Sequence, residues 1–252
     1  ITPCFKGQTD LPCRALRRFI HWLFAPFPVQ HARQTRPPHL RTVSRKSGRP
    51  ADTKRIPMPF PAVHPALDRA LAARGYAEPT PVQLAVTEAD RSADLLVSAQ
   101  TGSGKTVAFG LALASTLLGD EERFSAPGQQ PLALIIAPTR ELAMQISREF
   151  EWLYADTNAR IVQCVGGMSV RDEQRQLSRG AHIVIGTPGR LCDHLTKGYL
   201  DLSTLKVAVL DEADEMLDLG FREELEQLLD ATPADTRRTL LFSATLPRTI
   251  IS

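Results

Sequence analysis

Long apolar runs are scarce in this chain of 252 residues, and its four cysteines and six histidines are few and scattered. The one stretch that suggests a membrane or export segment, residues 19–29, is eleven residues long and interrupted by His21, Pro26 and Pro28. A bilayer-spanning helix needs about 20 apolar residues, so this segment is too short. Arg14, Arg17 and Arg18 precede it, but no small-residue cleavage site follows, and it is not read as a secretory signal. Cys4, Cys13, Cys164 and Cys192 show no paired metal spacing, and the histidines form no ligand constellation. Cys164 and Cys192 fall at apolar pattern positions and are expected to be reduced core thiols. These absences point away from membranes, structural zinc and disulfide scaffolds, and toward a cytoplasmic protein.

Net charge is also small, +2, but it is unevenly spread. Residues 1–57 hold twelve Lys/Arg against two Asp, a balance of +10, and the remainder carries −8. Within the basic part, residues 31–59 are rich in Arg, Pro and Ser without apolar period, which predicts disorder. Two readings stand. The segment is a basic tail that holds nucleic acid through salt-sensitive phosphate contacts, or it is translated upstream sequence preceding a native start at Met58.

Beyond residue 90 the pattern changes. Apolar runs at residues 94–98, 132–137, 160–165, 182–185, 205–210 and 239–242 alternate with helical patterns at 107–118, 139–154, 169–177, 189–196 and 222–229. Continuous apolar strands alternating with helices predict a parallel sheet covered on both faces, a doubly wound α/β fold. Right-handed crossovers place all strand C-terminal ends on one edge, where ligands bind.

Two motifs sit at such ends. Ala99-Gln100-Thr101-Gly102-Ser103-Gly104-Lys105-Thr106 lies between a strand and a helix. Glycines let backbone N–H groups turn toward a triphosphate, and the helix start adds its positive dipole end. Lys105 then reaches the β and γ phosphates, and the Thr106 hydroxyl holds Mg²⁺. The general pattern begins with Gly where this chain has Ala99. The second motif, Asp211-Glu212-Ala213-Asp214, closes the 205–210 strand. Asp211 is the expected Mg²⁺ partner, through water, and Glu212 the group that orients or deprotonates the attacking water. Glu212, Asp211 and Lys105 are therefore the candidate catalytic residues, and the pair of motifs describes a nucleoside triphosphatase.

From residue 58 onward the chain resembles the first RecA-like, P-loop NTPase domain of a DEAD-box ATP-dependent RNA helicase. Residues 99–106 resemble motif I and 211–214 motif II; Pro138-Thr139-Arg140-Glu141-Leu142-Ala143 resembles motif Ia. Gly75-Tyr76-Ala77-Glu78-Pro79-Thr80-Pro81-Val82-Gln83 resembles the adenine-recognition motif. The resemblance implies that Gln83 hydrogen-bonds the base beside Tyr76. It also calls for an upstream aromatic that stacks on adenine. Phe60, fifteen positions before Gly75, departs from the family's usual spacing and either stacks there or belongs to the core. Gly166-Gly167 and Thr187-Pro188-Gly189-Arg190 resemble further RNA-contacting elements, and Ser243-Ala244-Thr245 resembles motif III. Asp214, Ser243 and Thr245 are assigned by this resemblance to coupling between the ATP and RNA sites.

The RNA assignment also has a direct physical basis. Pro138-Thr139-Arg140, Gly166-Gly167 and Thr187-Pro188-Gly189-Arg190 all stand where a predicted strand hands over to a helix. Free N–H groups at helix starts, with hydroxyls and arginines beside them, bind phosphates. Several such junctions on one edge make a track that reads the backbone of single-stranded RNA or a short duplex. The alternative is ordinary α/β turn geometry.

The expected organisation is a basic segment at 1–57, an adenine-recognition region at 58–85 and an ATP-binding RecA-like domain at 86–252. The resemblance implies a second RecA-like domain, carrying arginines that complete the ATP site. Without it the chain is expected to bind nucleotide but hydrolyse it poorly. Three functions follow: half of an RNA-dependent ATPase and helicase, a nucleotide- and RNA-binding module, or a P-loop ATPase acting on DNA or protein. Asp214 and the adenine motif argue against the third.

Overall fold

A computed structural model describes residues 2–3, 60 and 63–244. Its strands are β1 (Thr2–Pro3), β2 (Leu95–Ser98), β3 (Ala133–Ile136), β4 (Ile161–Cys164), β5 (Ile183–Gly186), β6 (Val207–Leu210) and β7 (Arg238–Ser243). The helices are α1 (Pro65–Ala73), α2 (Pro81–Glu88), α3 (Lys105–Leu117), α4 (Arg140–Leu153), α5 (Val170–Ser178), α6 (Pro188–Thr196), α7 (Ala213–Asp218) and α8 (Arg222–Asp230). Strands β2 to β7 are mutually parallel, in the spatial order β2-β7-β6-β3-β5-β4. The doubly wound sheet expected from the apolar runs is therefore present.

Alternate residues of the same strands feed two cores. Leu95, Val97, Ile135, Ile185, Val209 and Phe242 face one core, packed under α1 to α4. Leu96, Leu134, Ile136, Val184, Leu210 and Leu241 face the other, under α5 to α8. Burial on both faces explains why these strands read as continuous apolar runs without alternation.

Three helices differ from the expectation. The two that begin in the adenine-recognition region, α1 and α2, and the short α7 after the acidic motif were not expected; α1 buries Ala66, Leu67, Ala70 and Leu71 on one face, while α2 and α7 are eight and six residues long. Capping reveals two of them: His64 accepts from Ala66 N–H, and Thr80 forms a capping box with Gln83. Thr2 and Pro3 pair antiparallel with Leu96 and Leu95, covering the free edge of β2. The disorder expected at 31–59, Cys4, Cys13, residues 19–29 and Thr245 lie outside the described residues. Cys164 and Cys192 are buried free thiols, as their positions suggested.

The strand order sets up everything that follows. In the chain, the motif-bearing ends come in the sequence β2, β3, β4, β5, β6, β7. In space, β2, β7 and β6 are neighbours, and so are β3, β5 and β4. The C-terminal edge of the sheet thus divides into two halves, meeting between β6 and β3.

Candidate functional site

The first half gathers the phosphate and acidic motifs. After Ser98 the chain turns through residues 99–104 into α3, with φ of 80° at Gly102 and 87° at Gly104. A side chain is strained at either position. At Gly104 a Cβ would also come within 2.7 Å of Gln83 Nε2. Gln83 is 1% exposed; its Oε1 accepts from Thr80 N–H at 2.9 Å and its Nε2 donates to Gly104 O at 3.3 Å. It ties α2 to the glycine loop from behind and is not among the residues that line the cavity described below.

Lys105 opens α3 and is buried, with Nζ 3.3 Å from Asp211 Oδ1 and 3.2 Å from Glu212 Oε1. Thr101 Oγ1 donates to the same Glu212 oxygen at 2.9 Å. Glu212 adopts φ 53° and ψ 52°, a left-handed conformation that costs a non-glycine residue about 1–2 kcal/mol. Strain held at a carboxylate facing a lysine and a glycine loop is the kind stored at functional positions. Thr106 lines the same space, a cavity of about 190 Å³ shared with Tyr76, Gln145 and Glu149. A cavity of about 240 Å³ beside His64 is larger, but its charged residues Arg91, Asp120 and Glu122 are exposed, whereas Lys105 and Asp211 are buried.

Some expected residues stand apart from this cavity. Phe60 is half-buried against the α1–α4 core and does not line it. Tyr76 does, with its ring stacked on Trp152 at 5.7 Å. Gln145 and Glu149 were not anticipated. They lie three and seven residues after Leu142 on one face of α4, and that spacing, read from the motif Ia helix, is the signal that marks them.

Charge in the cavity is finely divided. Burial pushes the Asp211 carboxyl above its ordinary value, opposed by the ammonium of Lys105. Its Oδ1 sits in that ion pair without a well-formed hydrogen bond. Burial would also raise Glu212, but hydrogen bonds from Glu215 and Thr101, with the charge of Lys105, hold it below its ordinary value. Glu215, one turn later, is pushed up by its bond with Glu212.

A stability prediction follows for Asp211. A carboxyl whose folded pKa is raised contributes stability below its unfolded pKa and loses it as pH rises through the folded value. At neutral pH the nucleotide-free protein therefore carries an uncompensated cost there. Asp211→Asn removes it while leaving Lys105 paired with Glu212, and should stabilise the protein by about 1 kcal/mol. Thermal melts should show the gain at about pH 8, where the parent's Asp211 is ionised, but not in acid, where it is neutral. A melting temperature lower than that of the parent at pH 8 would refute it.

The second half of the edge gathers the three expected phosphate junctions. Thr139 caps α4 by accepting from Leu142 N–H at 3.2 Å. Arg140 Nη1 donates to Gly166 O at 3.2 Å, and a Cβ on Gly167, where φ is 76°, would collide with that guanidinium. Arg190 Nη1 donates to Glu173 Oε2 at 2.8 Å and to Met168 O at 3.4 Å. Gly166, Gly167 and Gly189 are exposed, Thr139 and Thr187 are half-buried, and no side chain caps α6. Pro138 and Pro188 are buried and shape the backbone. Arg190 is largely enclosed by its ion pair, with 14% of its side chain exposed.

Ser243, one of the residues of the coupling assignment, lies within the first half of the edge. It is buried at the end of β7, in register with Ser98, and its carbonyl accepts from Ala99 N–H at 3.1 Å. Asp214 is half-buried on α7, two residues past Glu212.

Residues 80–252 match the model of the DEAD/DEAH box helicase family. The chain is similar to DEAD-box ATP-dependent RNA helicase 9 of Oryza sativa subsp. japonica, at 44% identity over 186 residues. It is 41% identical over 185 residues to DEAD-box ATP-dependent RNA helicase CshA of Bacillus licheniformis. Each alignment covers 73% of this chain but only 29% and 36% of those relatives, so the chain spans about a third of their length. The crystal structure of a DEAD box protein from the hyperthermophile Methanococcus jannaschii superposes with a TM-score of 0.64 at 36% identity, covering 75% of this chain and 50% of that one. The glycine loop, the Asp211-Glu212 pair and the parallel sheet that carries them thus stand beside a family-model match over most of the chain, and the chain belongs to the DEAD/DEAH box helicase family.

Proposed function

We propose that this chain is the nucleotide-binding half of an ATP-dependent RNA helicase, coupling ATP hydrolysis to RNA binding and local strand separation. The observation that carries it is the division of the sheet edge. Phosphate-binding and acidic motifs occupy β2, β7 and β6, and three phosphate-type junctions occupy β3, β5 and β4. ATP bound in the first half and a single strand lying over the second would then share one rigid sheet. Backbone N–H groups at the helix starts grip phosphate without reading bases, and a 2′-hydroxyl distinguishes RNA from DNA.

The residues present suit Mg²⁺. Asp211 offers a buried carboxylate oxygen lacking a well-formed hydrogen bond, beside a hydroxyl at Thr106 that lines the same cavity. Those two residues would hold the ion, which supplies charge neutralisation at the phosphates. Glu212 orients the attacking water and Lys105 exchanges its carboxylate partners for phosphate. Residues 58–85 form the adenine-recognition region and 86–252 the first RecA-like domain. A second such domain would add arginines at the γ-phosphate. Buried, reduced Cys164 and Cys192 favour a cytoplasmic setting. Among the described residues no helix is long and apolar enough to cross a membrane.

The adenine assignment is tested by titrating the chain with ATP and with GTP in Mg²⁺. Gln83 retains one donor and one acceptor, matching the N6 and N7 edge of adenine and mismatching guanine. ATP should bind at least about tenfold more tightly, a difference of ~1.4 kcal/mol. Equal affinities would remove Gln83 from the site.

A further inference from the structure

The carboxylate of Glu173 lies outside every motif, yet it is among the most engaged side chains in the protein. It sits in the first turn of α5 and is 3% exposed. Its Oε1 accepts from Val165 N–H at 3.0 Å, immediately before Gly166. Its Oε2 accepts from Arg190 Nη1 at 2.8 Å and from His194 Nε2–H at 2.6 Å, both on α6. Burial alone would raise its pKa, but bonds from His194, Arg190 and Val165 N–H hold it below the ordinary value. One buried anion therefore joins the end of β4, the start of α5 and both ends of α6, through Arg190 in its first turn and His194 in its last.

Sequence reading found no ligand constellation, and the fold brings ligand atoms of Cys164, Glu173 and His194 within 4.8 Å of one another. A metal there would have to displace the guanidinium already on Oε2, and burial drives the Cys164 thiol strongly toward its protonated form. The cluster is better explained as an internal ion pair. A buried carboxylate is kept in place only by well-formed partners, and removing one of them leaves the other exposed to its desolvation cost.

We infer that Glu173 is a positioning residue for the RNA track, holding Arg190 and the Gly166–Gly167 turn in register so that they meet successive phosphates. This rests on the RNA reading proposed above. Arg190 Nη1 also reaches Met168 O, and Arg140 reaches Gly166 O from the junction between β3 and α4. The turn is thus held from both sides, by Arg140 and by the Glu173–Arg190 pair. A lysine at 190 would keep the charge but lose the rigid guanidinium whose Nη1 reaches both Glu173 and Met168 O.

The test is binding of a labelled single-stranded polyuridine oligonucleotide by this chain, for the parent, Glu173→Gln, Arg190→Gln and the double variant. ATP affinity is measured in parallel. Electrostatics alone predicts tighter RNA binding by Glu173→Gln, because the variant gains one positive charge relative to the parent. Positioning predicts the opposite, a loss of about tenfold, the size of coupling within one ion-pair network. The double variant should bind no more weakly than Arg190→Gln, and ATP affinity should be unchanged, because Glu173 serves the other half of the edge. Unchanged or tighter RNA binding by Glu173→Gln overturns the inference. So does a parallel fall in RNA binding, ATP binding and melting temperature, which marks a general role in the fold. If Glu173→Gln fails to fold, Arg190→Lys decides: weakened RNA binding at constant charge supports positioning, and parental affinity overturns it. A parent that binds ATP but no polyuridine brings down the RNA reading itself, and the inference with it.

Discussion

Glu212→Gln is expected, on the ATPase function proposed above, to lower ATP turnover by about a hundred- to ten-thousandfold, the range for removing a positioned general base. ATP affinity should stay close to the parent or rise. The geometry supports both parts. Glutamine keeps an oxygen where Glu212 Oε1 accepts from Thr101, so the glycine loop retains that contact. Lys105 keeps Asp211 as its counter-charge. What disappears is the one carboxylate held ionised by Glu215, Thr101 and Lys105 at the mouth of the cavity, together with its repulsion of phosphate. The left-handed backbone at Glu212 does not depend on the charge, so the variant should fold normally. Single-turnover phosphate release with saturating RNA measures the effect. Turnover within a few-fold of the parent, an order-of-magnitude margin, would assign the water to another residue.

Lys105→Ala should weaken ATP binding by about 1.5–3 kcal/mol, the loss expected for a charged hydrogen-bonding group, which is roughly ten- to a hundredfold. The same substitution acts on the nucleotide-free fold. Asp211 is 1% exposed, and Lys105 is the cation that pairs with it. Stripping a buried pair of one partner costs about 3–5 kcal/mol when the other stays charged. Asp211, already raised by burial, would then hold its proton to still higher pH. The sign follows from that direction. Stability is preserved at low pH, where the carboxyl is neutral, and is lost as pH rises through the raised folded value. Lys105→Ala should therefore melt near the parent in acid and well below it at neutral pH. Adding Asp211→Asn should recover much of the deficit without recovering ATP binding, because the two side chains act as one unit. A double variant as unstable as Lys105→Ala would locate the cost elsewhere.

Both predictions depend on contacts of different legibility. The glycine loop was readable because its demands are local: Gly102 and Gly104 need positive φ, and Lys105 and Thr106 follow in sequence. The helix starts were readable for a similar reason, since Thr139 and Ser169 cap the turns that begin immediately after them. Glu173 carried no such mark. In the linear pattern it is one acidic residue in the first turn of a polar helix, and only the docking of α6 makes it a buried anion. Gln83 is similar in kind. A capping box identifies its backbone role, but its enclosure against Gly104 is created by contact between α2 and α3.

The sequence by itself determined the fold class, the place of the phosphate and acidic motifs at strand ends, and the chemistry those residues can perform. Apolar runs, turn glycines and caps act over a few residues, so they can be read one segment at a time. Tertiary structure alone decided which strand ends are neighbours. The chain visits β2, β3, β4, β5, β6 and β7, but packing regroups them as β2-β7-β6 and β3-β5-β4, setting Lys105 against Asp211 and Glu212, and Arg190 against Glu173. It also decided that Phe60 packs on the core, away from the cavity, and that Arg190 is tied down by an internal anion. The physical reason is that strand order and side-chain enclosure come from burying two apolar faces at once. That is a property of the whole sheet, which no single segment encodes.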